Sequence, residues 1–289
     1  MKNETISDAP INDVLLNKVV IALSQSFPVR YIICWGMTTE CHELISCFAN
    51  GHKLTQKHFF LLIITNEKTP LEQEIQEQVD QQYQNQQIAI TVISHDWAYV
   101  NDAIINNSRF FTTICRCGCL LYSSDGPLRQ IDYPALDNSE ILPTAEQHFN
   151  HRYHMAEGFL LAAEHSLDGG YHKHAVFLLQ QCIKQACFTL NKVFLDYQPG
   201  LHNIVWMLDL CCVLSKTPKA IFTGKTESER LFDLMQSSDT DVRWKDDYQV
   251  QSTDAEDLYE LVHEFVGLTE AFCKEKIEDY RTLTGSELR

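Results

Sequence analysis

An arginine with two aromatic neighbours is the group in this sequence best suited to bind a ligand. Arg243 is followed at once by Trp244 and, four positions later, by Tyr248. A guanidinium can hold a phosphate through two parallel hydrogen bonds, and aromatic rings can stack on a nucleotide base. The alternative is an ordinary ion pair on a helix surface, with Asp241 or Asp247 as the partner. We favour the ligand-binding interpretation.

A histidine lies where a helix of the second half is expected to begin. His202 follows Pro199 and Gly200, which end the preceding apolar pattern. The free backbone N–H groups in the first turn of a helix attract anions, so His202 could contribute to the same site. It could equally cap the helix or orient its start.

Two glutamines lie in the middle of an apolar helix pattern. Gln180 and Gln181 stand among leucines and a cysteine, so one of them must face the core or an interface. A buried amide needs a hydrogen-bond partner, which predicts a structural role. Gln181 is also kept in the candidate ligand-binding set.

The cysteine and histidine patterns do not indicate a metal site. Cys115, Cys117 and Cys119 alternate, which on a strand would put their thiols on one face about 7 Å apart, unlike the Cys-x-x-Cys pairs of structural zinc. Three histidines spaced three residues apart drift around a helix: His148, His151 and His154. We expect no metal and no other cofactor. Eleven cysteines placed singly in apolar segments are expected to be reduced thiols.

The charge of the chain limits its partners. There are 23 basic and 39 acidic side chains, for a formal charge of −16, and both halves are acidic. A protein that coats duplex nucleic acid needs clustered Lys and Arg to displace counterions, so extended duplexes are disfavoured. A small site for one nucleotide or a short RNA strand remains open.

The sequence also bears on location. Its first residues lack the basic and apolar regions of a signal peptide, and no apolar run approaches the roughly 18 residues of a membrane span. We expect a soluble, cytoplasmic protein without membrane contact.

Two domains are expected to position these residues, which makes the fold class α+β. In residues 1–126 strand and helix periods alternate, as in an α/β sheet domain. The expected strands are Val29–Trp35, His58–Thr65, Ile88–Ser94 and the extended run Ile114–Tyr122, and the expected helices are 14–23, Thr38–Ala49 and Leu71–Gln84. Residues 127–143 contain three prolines and are interpreted as a linker.

From residue 144 to residue 289 the hydrophobic period is helical. Gly169 and Gly170 end a first helix, and Pro199 follows a second. Further patterns cover 204–214 and 227–235, and a long apolar stripe runs from Leu258 to Phe272. The second domain is therefore expected to be a bundle of about five helices.

Three segments of this second half resemble the HEPN domains that are fused to minimal nucleotidyltransferases. They are Ala175–Gln181, Tyr197–Ile204 and Arg243–Tyr248, in that order and at similar spacing. The resemblance covers Thr144 to about Tyr280. It implies a nucleotide- or RNA-end-binding regulator of toxin–antitoxin or defence type, homodimeric through the helical domain. The ligand site that it implies consists of Arg243, Trp244, Tyr248, His202 and Gln181.

Two departures from the family pattern leave other functions open. Lys184 stands where relatives commonly have Glu, and no arginine is followed after four to six residues by the histidine of the ribonuclease members. Tyr248 takes that place, and a phenol with a pKa of about 10 exchanges protons poorly at neutral pH. One alternative is a metal-independent endoribonuclease that uses Arg243 with Tyr248 or His202. The other is a protein–protein adaptor.

The first half is similar to the minimal nucleotidyltransferase domain at Ile32–Met37 and Phe110–Tyr122. Enzymes of that family open their second strand with Asp-x-Asp, whereas this chain has His58 and Phe60. No acid occurs in Ile88–Ile93, where a third carboxylate is expected. Without oxygen ligands the site cannot hold the divalent metals of phosphoryl transfer, so the resemblance implies a catalytically inactive scaffold.

Overall fold

The computed structural model describes residues 13–46, 49–67, 71–83, 88–125, 138–245 and 247–287. The chain divides into two compact units, Met1–Leu136 and Asp137–Arg289, and the fold is α+β. Residues 127–137 of the expected linker lie outside the described residues. Its last part is helical, because a 3-10 turn at Asn138–Glu140 leads directly into a helix that begins at Ile141.

The first unit contains a four-stranded mixed sheet. Its strands are β1 (Val29–Ser46), β2 (Ala49–Thr65), β3 (Ile88–Asp96) and β4 (Cys119–Ser123), in the spatial order β3-β2-β1-β4. β1 pairs antiparallel with both β2 and β4, and β2 pairs parallel with β3. Four helices accompany the sheet: α1 (Val14–Ser26), α2 (Glu72–Tyr83), α3 (Trp97–Ile105) and α4 (Arg109–Cys117).

The side chains of β2 alternate between two packed faces. Phe59, Leu61 and Ile63 belong to a core that α1 and α2 complete with Leu16 and Ile75. Phe60 points the other way, since successive side chains of a strand leave opposite faces. Its ring lies 5.6 Å from that of Trp35, which in turn meets Phe110 of α4 at 5.6 Å. The sheet is therefore buried on both sides around its middle strands.

The expected helix at Thr38–Ala49 is wrong. β1 continues to Ser46 and pairs with β2, with Thr38 opposite His58 and Cys41 opposite Thr55. The segment begins with two threonines, whose branched Cβ atoms favour a pleated conformation. Antiparallel pairing then supplies the backbone hydrogen bonds that a helix would otherwise provide.

The extended run expected at Ile114–Tyr122 is wrong in its first part. α4 continues to Cys117, and only Cys119 and the residues after it form a strand. The buried side chains Phe110, Phe111 and Ile114 follow a helical spacing. Cys115 and Cys117 are therefore helical, and the three alternating thiols do not share one strand face.

The second unit consists of helices. They are α5 (Ile141–Asp168), α6 (His172–Leu195), α7 (Ile204–Cys211), the short α8 (Thr217–Ala220), α9 (Thr226–Trp244) and α10 (Ser252–Glu287). Long helices over 155–163, 175–194 and 258–272 are confirmed. α9 extends nine residues beyond the expected end at Met235 and thereby includes Arg243 and Trp244.

Helix α6 is the centre of this unit and packs against α5, α7, α9 and α10. Thirteen of its residues are buried, over most of the circumference of the helix. The surrounding helices of the same chain cover its apolar faces. Those faces therefore do not require a second copy of the protein, and the homodimer stays a prediction from the resemblance.

None of the helices in the described ranges combines the length and the apolar character needed to cross a membrane.

Candidate functional site

Arg243 and Trp244 form the last turn of α9. The Trp244 side chain is 81% exposed, which is unusual for an indole. Lys245 follows the helix and forms an ion pair with Asp241 at 2.9 Å. This end of α9 therefore presents a large aromatic surface to solvent, next to the backbone of Arg243.

Tyr248 does not share that exposure. It is 9% exposed, and its hydroxyl donates a hydrogen bond of 3.4 Å to the carbonyl oxygen of Leu234 in α9. Burial and the nearby carboxylate of Asp241 raise the pKa of this phenol. The ring of Tyr248 thus packs against α9 and its hydroxyl contacts the backbone, an arrangement that disfavours base stacking and proton transfer by this residue. The part of Tyr248 in the ligand site stays a prediction.

His202 is exposed and lies just before α7, but the helix start is already capped. The side chain of Asn203 accepts hydrogen bonds from the backbone N–H groups of Val205 (2.9 Å) and Trp206 (3.2 Å). An anion bound at the start of α7 would need these same N–H donors. The His202 ring instead meets Phe188 of α6 edge-on, with centroids 5.5 Å apart.

The two glutamines of α6 form a chain of hydrogen bonds towards α9. The Gln181 amide donates to the side-chain oxygen of Gln180 at 3.2 Å, and the Gln180 amide donates to the carbonyl oxygen of Gln236 at 3.3 Å. Gln180 is 3% exposed, so the predicted structural role is confirmed for it. One turn further along α6, Lys184 forms an ion pair with Asp239 of α9 at 2.9 Å.

A stripe of four polar residues and one phenylalanine runs along α6 beside these contacts. Its members lie at spacings of three, four, seven and eleven residues from Gln181, and hence on one face of the helix: Gln181, Lys184, Gln185, Phe188 and Lys192. Phe188 is 6% exposed and the other four are partly buried. We refer to these five residues as the α6 stripe.

Arg152 of α5 lies over the middle of the α6 stripe. Its guanidinium donates to the side-chain oxygens of Gln185 (3.3 Å) and Gln198 (3.5 Å). The guanidinium carbon is 5.4 Å from the centre of the Phe188 ring, which is within the range of a cation–π interaction. Arg152 and His202 therefore contact the same aromatic ring.

Further basic residues surround this contact. The Nε2 atom of His148 is 3.8 Å from a carboxylate oxygen of Asp196, a residue held at a φ of 55° at the end of α6. Burial and the positive charge of Lys192 lower the pKa of His148. Burial also lowers the pKa of Lys192, and the charge of Arg152 adds to that effect while Asp196 opposes it. Arg152, Lys192 and His148 thus share one electrostatic environment, which we call the basic cluster.

Two cations of the basic cluster are not neutralised by ion pairs. Lys184, Lys245 and Arg230 each pair with a carboxylate, as is common in a chain this acidic. No carboxylate of the described residues forms an ion pair with Arg152 or Lys192. Among the described residues Asp196 is the carboxylate that opposes these two positive charges, which leaves a local site that favours an anion.

Part of the basic cluster can be recognised in the sequence, although none of its residues belongs to the predicted ligand site. His148, His151 and Arg152 lie at i, i+3 and i+4 on one face of α5. The equal spacing of the three histidines at first suggests a metal site. The spacing that matters for the basic cluster is that of His148 and Arg152, which lie one helical turn apart. The partners on α6 have no such signal, because the contacts that define them form only on folding.

In the first unit, the positions matched to the nucleotidyltransferase aspartates hold a histidine and a phenylalanine in contact. The Nε2 atom of His58 is 2.8 Å from the hydroxyl of Thr91, and its ring stacks on Phe60 with centroids 4.3 Å apart. Both side chains are buried. Neither position supplies a carboxylate oxygen.

Comparison with known proteins adds no relative: no protein-family model matches the chain, and no curated protein sequence is similar to it.

Proposed function

We propose that the helical unit binds the phosphate group of a nucleotide or of a short RNA end at the basic cluster, and that the first unit is a non-catalytic scaffold. The observation that carries this proposal is the pair of cations, Arg152 and Lys192, without ion-pair partners among the described residues. In a chain with a formal charge of −16, an anionic ligand would supply the negative charge that these two neighbouring cations lack.

Neighbouring side chains hold the guanidinium of Arg152 in place. Gln185 and Gln198 accept hydrogen bonds from it through neutral side-chain oxygens, and the Phe188 ring lies within cation–π distance of it. These contacts fix its position without neutralising its charge. A phosphate would gain charge-assisted hydrogen bonds without the cost of first ordering the side chain.

Aromatic surface near the α6 stripe can receive a base. His202 is exposed and rests on Phe188, the ring that also supports Arg152. α9 runs in the same direction as α6, since Gln236 contacts Gln180 and Asp239 contacts Lys184. By helix geometry, one further turn leads from Lys184 to Phe188 on α6, and from Asp239 to the last turn of α9, which contains Trp244. His202 and Trp244 are therefore the candidates for stacking.

The proposal is tested by calorimetric titration of the full-length protein. The probes are adenosine 5′-monophosphate against adenosine, and a hexanucleotide RNA with a 5′-phosphate against the same RNA with a 5′-hydroxyl. We expect the phosphorylated probes to bind more tightly. Arg152→Gln and Lys192→Gln should each weaken their binding roughly tenfold to a hundredfold, because a charge-assisted hydrogen bond contributes about 1.5–3 kcal/mol.

Three further variants complete this test. Arg230→Gln removes the same charge from an exposed arginine that pairs with Glu227 and Asp254, and should leave binding unchanged. Arg152→Lys should restore binding only in part, as an ammonium lacks the planar fork. Arg243→Ala measures the contribution of the site that the resemblance implies. Equal affinity for adenosine and its monophosphate, or equal effects of Arg152→Gln and Arg230→Gln, would contradict the proposal.

A metal-independent ribonuclease is the second candidate. The observation in its favour is that His202 and Arg152 contact the same Phe188 ring, which brings an imidazole and a guanidinium to one site. Such enzymes need one group to move the proton of the 2′-hydroxyl and another to stabilise the phosphorane. RNA cleavage in EDTA that leaves 2′,3′-cyclic phosphate ends and is lost in His202→Ala would favour this candidate over simple binding.

A further inference from the structure

A groove of about 230 Å³ lies in the helical unit away from the α6 stripe. It is formed by the end of α6, the turn after α7 and one face of α10. Its apolar lining consists of Phe194, Leu214 and Phe272, each of which remains partly exposed. A ligand that covers these side chains would remove apolar surface from water, which stabilises the complex.

The charged side of the groove comes from α10. Glu275, Lys276 and Asp279 line it, so it carries two carboxylates and one ammonium. The Lys276 Nζ atom is 3.8 Å from a carboxylate oxygen of Asp279 and 4.8 Å from the centre of the Tyr280 ring. Lys276 therefore already has a carboxylate and an aromatic ring of its own helix as partners.

Glu275 is the uncommitted charge of the groove. Among the described residues no cation forms an ion pair with its exposed carboxylate. The groove therefore has an excess negative charge beside an aromatic surface. An anionic ligand would meet the repulsion of Glu275 and would have to compete with Asp279 for Lys276.

The aromatic surface itself accepts a cation. Lys276 Nζ lies 5.9 Å from the centre of the Phe194 ring, within the roughly 6 Å over which an aromatic face attracts an ammonium. A second ammonium, placed against Phe272 and Glu275, would gain both the ring and the carboxylate. The groove is smaller than the clefts of roughly 300–1,000 Å³ that hold drug-sized molecules, so its ligand must be small.

We propose that this groove is a binding site for a small organic cation with an apolar body, in which Phe194, Phe272 and Leu214 contact the body and Glu275 pairs with the ammonium.

The test uses three probes of similar shape and different charge: phenethylamine, 2-phenylethanol and phenylacetate. Their affinities for the full-length protein are measured by ligand-observed saturation-transfer NMR titration. We expect phenethylamine to bind best and phenylacetate to bind worst. Glu275→Gln should weaken phenethylamine binding about two- to fivefold, the range of a solvent-exposed ion pair, and should not weaken phenylethanol binding.

Two variants separate the site from a general charge effect. Glu260→Gln removes an exposed carboxylate fifteen residues earlier on α10, about 22 Å away along the axis, and should have no effect. Phe272→Ala should weaken both phenethylamine and phenylethanol. The proposal is overturned if phenylacetate binds as tightly as phenethylamine, if no probe binds, or if Glu275→Gln and Glu260→Gln behave alike. Because Glu275 is exposed, its variant decides the question even if Phe272→Ala impairs folding.

Discussion

Arg152 and Arg243 show, at the scale of single residues, what a sequence can reveal about a site. Arg243 is recognisable because its aromatic and acidic neighbours are adjacent in the chain. The contacts of Arg152 come from residues 33 and 46 positions away, so no local pattern indicates them. The burial of Tyr248 likewise cannot be predicted from its neighbours in the chain, since it depends on how far α9 extends. Residue types are predictable, whereas their exposure and partners depend on packing.

His95 is the residue for which the structure predicts the clearest pH dependence. Its ring stacks on Tyr99 with centroids 4.5 Å apart and meets Phe111 edge-on at 5.3 Å. Burial lowers the pKa of His95 from 6.5 to about 4, with Asp96 opposing the shift. Between these two values the unfolded state binds the proton and the folded state does not. The contribution of His95 to stability is therefore present above pH 6.5 and is lost as the pH falls towards 4.

Replacing His95 should make the protein less sensitive to acid. We expect the free energy of unfolding of His95→Gln to decline by about 1–2 kcal/mol less than that of the wild type between about pH 7 and about pH 5, since one pKa unit corresponds to about 1.4 kcal/mol. Urea titrations at both pH values measure this difference. His263→Gln, which changes an exposed histidine of α10 that forms no ion pair among the described residues, should follow the wild type. Parallel declines in all three proteins would show that His95 does not titrate in this range.

At the scale of elements, the predictable features are those with a complete local signal. The end of α5 and the extent of α6 follow from Gly169, Gly170 and the apolar spacing around them. The full length of β1 is not predictable, because the pairing that keeps residues 38–46 extended comes from β2, through a register that the sequence does not display. α4 resembles a strand in the sequence because short apolar runs suit both structures.

Gly118 gives a test of the junction between α4 and β4. A Cβ at this position would lie 2.5 Å from Cγ2 of Ile33 and 2.6 Å from the carbonyl oxygen of Ile114. The second contact is with backbone and cannot be relieved by a rotamer change. We expect Gly118→Ala to lower the free energy of unfolding by about 1–3 kcal/mol, as overpacked cores do. Chemical denaturation followed by circular dichroism measures it.

Gly158 is the matched control for that substitution. It lies in the middle of α5, is exposed, and has no neighbour within 4 Å of the point that a methyl group would occupy. Alanine is the better helix former, so Gly158→Ala should raise the free energy of unfolding by about 0.5–1 kcal/mol. Opposite signs for the two variants are expected. A neutral result at Gly118 would mean that this residue does not lie so close to Ile33 of β1 and to the backbone of Ile114.

At the scale of the whole molecule, the acidic charge sets the limit on nucleic-acid binding. The chain has a formal charge of −16, and the basic cluster supplies two permanent cations, Arg152 and Lys192. A long polyanion gains little from the remaining acidic surface. The proposed site therefore suits the end of a strand or a single nucleotide, and the affinity should not grow with the length of the RNA.

The salt dependence of binding tests this limit quantitatively. For single-stranded nucleic acid the slope of log K against log salt is about −0.7 for each phosphate neutralised. Two cations predict a slope of about −1.4 for a 5′-phosphorylated hexanucleotide, and the same slope for a twentymer. Removing one cation in Arg152→Gln should reduce the slope to about −0.7, while Arg230→Gln should leave it unchanged. Calorimetric titrations from about 50 to about 300 mM salt provide the measurement. A slope of about −4 that steepens with RNA length would place binding on an extended basic track, which the acidic charge of this chain argues against.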